Sequence, residues 1–216
     1  MLSIIIPAHN EEKYILPTIQ AIKNQPYTDY EIILVCDGCT DKTLAVAQKQ
    51  VEKIVVLQER KGPSVAKNEG ARIAKGDILV FLDADTIVSP TLLQTIAQTT
   101  NNKIIGTAKI KPSNPKLKHK IMMGLKNTLL CPLGVSNGII FCTQQTFKEH
   151  TFNNELQKME DGTFVREQKK NKQFVILNDY VINSTRRMDQ VGYLKIFTYW
   201  MKEYFKPSND KYSVIR

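Results

Sequence analysis

The sequence predicts an α/β fold, a mostly parallel central sheet flanked by helices. Short β-branched runs alternate with amphipathic stretches over the first hundred residues, the pattern of a buried parallel sheet covered by helices. Several runs end in polar, acid-bearing loops, where ligands bind in open α/β sheets. Hydrophobic residues make up 42% and charged residues 24% of the 216, which excludes wholesale disorder. The chain is long enough to bury a core, and four cysteines are too few for a disulfide scaffold.

The elements follow in order. Ile4–Ile6 is a first strand, ended by Pro7. Ile15, Ile19 and Ile22 recur at helical spacing. Ile32-Ile33-Leu34-Val35 reads as a second strand, and Asp41 caps a helix through Leu44-Ala45-Val46-Ala47. Ile54–Leu57 is a third strand. Val65 through Ala74 is a helix closed by Gly76, and Ile78–Leu82 is a fourth strand. Ser89-Pro90 opens another helix, with proline at its favoured first position. After about residue 103 the pattern changes. Residues 117–131 are apolar and basic together. Gly138–Cys142 and Phe174–Leu177 read as strands, Met159–Lys170 as a helix and Val191–Phe205 as an aromatic helix. Neither a linker nor a repeat divides the chain, so a single domain over 1–216 is expected.

Charge divides the chain more sharply than hydrophobicity does. Residues 1–102 hold 10 basic and 12 acidic side chains, and residues 103–216 hold 20 and 9, for a net +9 overall. The basic half suits a phosphate, a nucleic acid or an anionic membrane; it equally suits a lysine-rich surface kept for solubility.

The strand ends carry the candidate chemistry. Pro7-Ala8-His9-Asn10-Glu11 follows the first strand, Asp37 the second, and Asp83-Ala84-Asp85 the fourth. Asp37 has no helix within capping reach, which leaves it freer for a ligand. Asp83 and Asp85 converge on one point at the sheet edge, and Mg²⁺ takes one or two carboxylates together with substrate phosphates. Gly62 through Gly70 is a loop entering a helix that offers N–H groups and Lys67 to a phosphate. It lacks the Gly-Lys-Ser/Thr of a P-loop, and no G-x-G-x-x-G follows the first strand, which counts against a dinucleotide oxidoreductase.

In these segments the sequence resembles the family 2 glycosyltransferases, which have a GT-A fold. The matching blocks are Ser3 through Glu11, Val35 through Thr43, Lys61 through Asp77, and Ile78 through Thr86 with Asp83-Ala84-Asp85; Met159-Glu160-Asp161-Gly162 looks like the family's second acidic motif. The resemblance implies that Pro7, Ala8, His9, Asn10 and Glu11 line a nucleotide pocket and that Asp37 bonds the base. It implies that Lys67 sits near base or phosphates, and that Asp83 and Ala84 contact the donor. Asp83 and Asp85 would hold Mg²⁺ or Mn²⁺, and Asp161 would be the general base. His9 stands where the family often has tyrosine. Residues 1–102 would then be the donor half and 103–216 the acceptor half. The chemistry is consistent with physical need: a leaving diphosphate requires charge stabilisation, and an incoming hydroxyl a carboxylate base. One base without a protein nucleophile would invert the anomeric centre. For Glu160-Asp161 the competing reading is a solvated helix start.

The expected function is thus a metal-dependent inverting glycosyltransferase, moving sugar from a UDP- or GDP-sugar to an acceptor hydroxyl or lipid-linked phosphate. Arg186-Arg187 would meet phosphate or be surface charge. The alternatives are a nucleotidyltransferase, which would need a glycine-rich basic loop after the first strand, and a non-catalytic lipid- or nucleic-acid-binding module. No nucleic-acid partner is expected on the leading reading. Cys36-x-x-Cys39 sits where a redox pair would, but Asp37 between them disfavours a thiolate. The N-terminus shows no signal peptide and no run approaches the ~18 residues of a spanning helix, so a cytoplasmic chain is expected. Residues 116–130 and 191–206 set lysines beside apolar and aromatic residues, either as interfacial helices touching a membrane or as helices packed on the sheet.

Overall fold

The computed structural model describes residues 1–99, 104–156, 159–171, 173–193, 195–198 and 201. Eight strands among them form one sheet in the order β3-β2-β1-β4-β7-β6-β8-β5. The expected strands are β1 (Leu2–Ala8), β2 (Tyr30–Asp37), β3 (Lys53–Leu57), β4 (Ile78–Leu82) and β7 (Ile139–Thr143). Residues 174–177 belong to a longer strand, β8 (Gln173–Asn183). Two strands were not expected, β5 (Thr86–Val88) and β6 (Ile104–Pro112).

β1 through β4 pair in parallel, linked by α1 (Ile15–Lys23), α2 (Thr43–Ala47) and α3 (Pro63–Ile73). Helices on both faces bury such strands completely, which is why β1 and β2 are continuous apolar runs rather than alternating ones. β7 then enters antiparallel between β4 and β6, β8 runs parallel to β6, and β5 runs antiparallel to β8. Four of the seven pairings are parallel, so the expected mostly parallel sheet holds with β7 and β5 as its exceptions. β6 does alternate near its end: Lys109 and Lys111 are exposed while Ala108 and Ile110 are buried.

The sheet separates two apolar layers. Val80 and Leu82 of β4 face a cluster with Ile15, Ile19 and Ile22 of α1 and with Leu92, Leu93 and Ile96 of α4 (Leu92–Thr99). Leu79 and Phe81 face the opposite cluster, with Ala66 and Ala71 of α3, Phe147 of α6 (Gln144–Glu149) and Phe164 of α7 (Glu160–Gln168). Phe81 meets Phe152 edge-on at 4.9 Å between centroids, and Phe152 stacks on Phe164 at 4.3 Å.

Some element ends differ from expectation. α4 begins at Leu92 rather than Pro90, because Ser89 is tied to β8: its N–H donates to the Tyr180 carbonyl at 3.1 Å and its hydroxyl to Asp179. Gly76 does not close α3, which ends at Ile73. It is instead a point of close approach: a Cβ there would lie 2.7 Å from the Ser3 nitrogen, and its N–H donates to the Ser3 hydroxyl. Asp41 does work at the start of α2, accepting the Thr43 N–H at 2.9 Å. α5 (Leu117–Leu125) and α8 (Arg186–Val191) are joined by His119, whose Nε2 lies 3.0 Å from Asp189. Leu194, Trp200, Tyr204 and Phe205 of the expected aromatic helix lie outside the described residues.

Truncating the centre of the aromatic layer removes both area and packing. Phe81→Ala should lower unfolding free energy by about 3–5 kcal/mol, measured from the urea midpoint at unchanged slope.

Candidate active site

The strand ends open into a cleft of roughly 430 Å³. Pro7, Ala8, His9 and Glu11 reach it from β1, Asp37 from β2, and Asp83, Ala84 and Asp85 from β4. α3 brings Lys67, and α7 brings Glu160 and Asp161. Met123, Lys126 and Arg186 complete the lining. Every expected site residue except Asn10 therefore lines one cleft.

Asn10 works beside it. Held at φ +58°, it accepts the Thr40 N–H at 2.7 Å and donates to the Thr40 hydroxyl at 3.0 Å, stapling the loop after β1 to the loop after β2. His9 makes a second staple: its Nδ1 lies 2.7 Å from the Asp37 carbonyl. A carbonyl only accepts, so Nδ1 carries the proton in that contact. Asp37 proves less free than the sequence suggested. Its two carboxylate oxygens accept the N–H groups of Lys61 at 2.6 Å and Gly62 at 2.9 Å, and it is 4% exposed. It lines the cleft while folding the loop into α3.

Lys67 forms the floor. It is 2% exposed, its ammonium donates to Glu160 at 2.9 Å and to Asp161, and it lies 5.1 Å from the Phe152 ring centre. Burial works to depress its pKa, but Asp161, Glu160 and Asp83 together hold it above the ordinary lysine value. Asp161 uses only Oδ1 in that bond; its second oxygen has no hydrogen bond among the described residues. Glu160 is pushed above the usual carboxylate range, burial outweighing the Lys67 charge. Burial also lifts Asp83 to about 7, with Lys67 opposing and Asp161, Asp85 and Glu160 adding to the rise.

Backbone geometry sets Asp83 in place. Its N–H donates to the Gly138 carbonyl at 2.9 Å. Gly138 sits at φ +84°, and a Cβ there would lie 2.7 Å from Asn183 and 3.2 Å from the Asp83 carboxylate. Only glycine fits both the conformation and the space. Ala84 is fixed through its carbonyl, which accepts the Thr18 hydroxyl of α1 at 2.9 Å.

At the rim, Arg186 donates to Asp85 at 3.3 Å, reaches Glu11 at 3.8 Å and stacks 4.2 Å from the Tyr14 ring. Among the described residues no three His, Cys, Asp or Glu side chains form a complete cation cage. Asp83 and Asp85 are nevertheless a donor set that suits Mg²⁺ or Mn²⁺: hard oxygens, two from protein, the rest left to phosphate and water. Lys126 and Gly138 were not singled out from sequence. Nothing in the sequence sets Lys126 apart from Lys116, Lys118 and Lys120, yet it alone of the four is buried, at 8% exposure. Gly138 reads in the sequence only as a strand start.

Removing the floor's cation leaves carboxylates uncompensated. Lys67→Met should cost about 3–5 kcal/mol of stability, and adding Asp161→Asn should restore part of it, as a double-mutant cycle of denaturation midpoints would show.

Known proteins resemble this chain in sequence and in fold. Glycosyltransferase GlyG of Streptococcus pneumoniae is 35% identical over 108 residues, covering 48% of this chain and 36% of that protein. The poly(ribitol-phosphate) beta-glucosyltransferase of Bacillus spizizenii is 36% identical over 95 residues, 40% of this chain and 15% of that one. The chain thus spans about a third or less of these curated relatives. Two solved structures share its fold: S. aureus TarS 1–349, with a TM-score of 0.70 at 20% identity over 93% of this chain and 65% of that one, and the mannosyltransferase PcManGT from Pyrobaculum calidifontis, in complex with GDP-Man and Mn²⁺, with 0.74 at 15% over 94% and 61%. The fold class expected from the strand pattern is therefore the observed one, a GT-A fold. Residues 3–121, more than half of the sequence, match the model of glycosyl transferase family 2, and the chain belongs to that family.

Proposed function

We propose that the chain is the transfer domain of a metal-dependent, inverting glycosyltransferase. It takes a UDP- or GDP-sugar and passes the sugar to an acceptor hydroxyl or lipid-linked phosphate. The observation that carries this reading is the meeting of Asp83, Asp85 and Asp161 in one cleft, although Asp161 lies seventy-six residues beyond Asp85. TarS is known in complex with UDP-GlcNAc and PcManGT with GDP-Man and Mn²⁺, which supports a nucleotide-sugar donor.

The chain's own groups divide the work. Pro7 through Glu11 and Asp37 shape the donor side, with Asp37 holding the loop that closes it. Asp83 and Asp85 would hold the divalent cation, which when bound stabilises charge on the leaving diphosphate. Arg186 stands on Asp85 with a planar fork suited to phosphate. Asp161, oriented through Oδ1 by Lys67, keeps its second oxygen for the proton of an incoming hydroxyl. A single carboxylate in that role accounts for inversion. From the half at 103–216, Met123 and Lys126 add to the cleft lining and would serve the acceptor.

Thermal denaturation with UDP- and GDP-sugars, with and without Mg²⁺ or Mn²⁺, tests the reading. A ligand at 100 times its dissociation constant adds about 2.7 kcal/mol, a rise of roughly 5–10 °C for a domain of this size. One nucleotide should give that rise, and only with metal. Asp85→Asn should lose the metal-dependent shift. Asp161→Asn should keep the shift while slowing sugar transfer about 10²–10⁴-fold. Full transfer in Asp161→Asn would remove it as the base, and a metal-independent shift would remove the cation.

A further inference from the structure

Between Asp85 and Glu149 the sequence holds eight lysines and no acidic residue. α5 lies in this stretch and continues through a π-helical turn, Lys126–Leu130, and a 3-10 turn, Cys131–Leu133. Along it Leu117, Ile121, Leu125, Leu129 and Leu133 recur every fourth residue, exposed to 73%, 55%, 39%, 52% and 39%. They are five of the eight large apolar side chains exposed among the described residues. The opposite side of the same segment is buried, through Met122, Met123, Leu130 and Cys131, so the row is not part of the core.

The helix geometry keeps the row exposed. In an α-helix a step of four residues overshoots one turn by about 40°, and an i+4 row drifts round the axis toward the buried side. A π turn takes more residues than an α turn, and placed at Lys126–Leu130 it winds that drift back between Leu125 and Leu129.

We propose that this row docks the chain on an anionic phospholipid bilayer. Concentrated apolar exposure marks an interaction surface, and the charge around it selects the partner. Lys116, Lys118 and Lys120 are exposed beside the row. A second cleft of roughly 350 Å³ opens between β6 and α5, bordered by Lys111 and Lys120, with open space beside Gly124. A second copy of this chain would bring the same lysines to a two-fold contact, which like charge opposes. An anionic headgroup layer matches both the lysines and the apolar row. Met123 and Lys126 of the same segment line the candidate active site, so docking sets one wall of that cleft at the lipid surface. The inference goes beyond the transferase reading and does not rest on it.

Flotation of the full chain with phosphatidylcholine vesicles, with and without phosphatidylglycerol, tests the proposal. The chain should float with the anionic vesicles at low salt and lose at least about tenfold of its partition on neutral vesicles or at raised salt. Lys116→Gln with Lys120→Gln should weaken partition about 25-fold, near fivefold for each lysine. Ile121→Ser with Leu129→Ser should abolish flotation, with the thermal midpoint retained because these side chains are exposed. Absence of flotation with anionic vesicles, or wild-type flotation by either double variant, overturns the proposal. So does a dimer on size exclusion that Ile121→Ser with Leu129→Ser dissociates while vesicle binding is absent.

Discussion

The site is organised around one buried ammonium. Lys67 sits at 2% exposure among Glu160, Asp161 and Asp83, and no neutral side chain could hold those acids together without water. Its bonds also fix the architecture. α3 carries the lysine and α7 the acids, so the ion pairs lock the front half of the sheet to a helix that arrives much later in the chain. Phe152, 5.1 Å from the ammonium and stacked on Phe164, keeps water from the Lys67 side of that contact.

The switch from parallel to antiparallel pairing at β7 shapes the acid-bearing edge. In a wholly parallel sheet the neighbour of β4 would also end at that edge. β7 instead begins there, and so delivers Gly138 beside Asp83. A strand start can present a bare backbone where a strand end presents side chains. That is how Asp83 comes to be closely walled while Asp85, one step further out, meets the solvent rim and Arg186.

The parallel half was legible because its signals are local. β-branched runs, helical spacing of Ile15, Ile19 and Ile22, and acids just past β4 need nothing distant to be read. The later strands were harder. β5 is three residues long, and β6 mixes lysines with small residues, its alternation confined to Ala108 through Lys111. The site shows the same divide. Asp83 and Asp85 follow from position after a strand. The occupation of both Asp37 oxygens by backbone N–H groups does not, since it depends on how a loop twenty-four residues away turns back. Lys67 was visible as a phosphate candidate, but its partners lie more than ninety residues on, and no spacing rule reaches that far.

That separation has a consequence for the order of events at the ribosome. Glu160 follows Lys67 by 93 residues. At synthesis rates of about 5–20 residues per second, α3 waits on the order of ten seconds before its counter-charges exist. Burying that ammonium under an apolar segment before α7 arrives would leave the charge unpaired, so the α3 face of the sheet closes at low cost only with the acids of α7 in place.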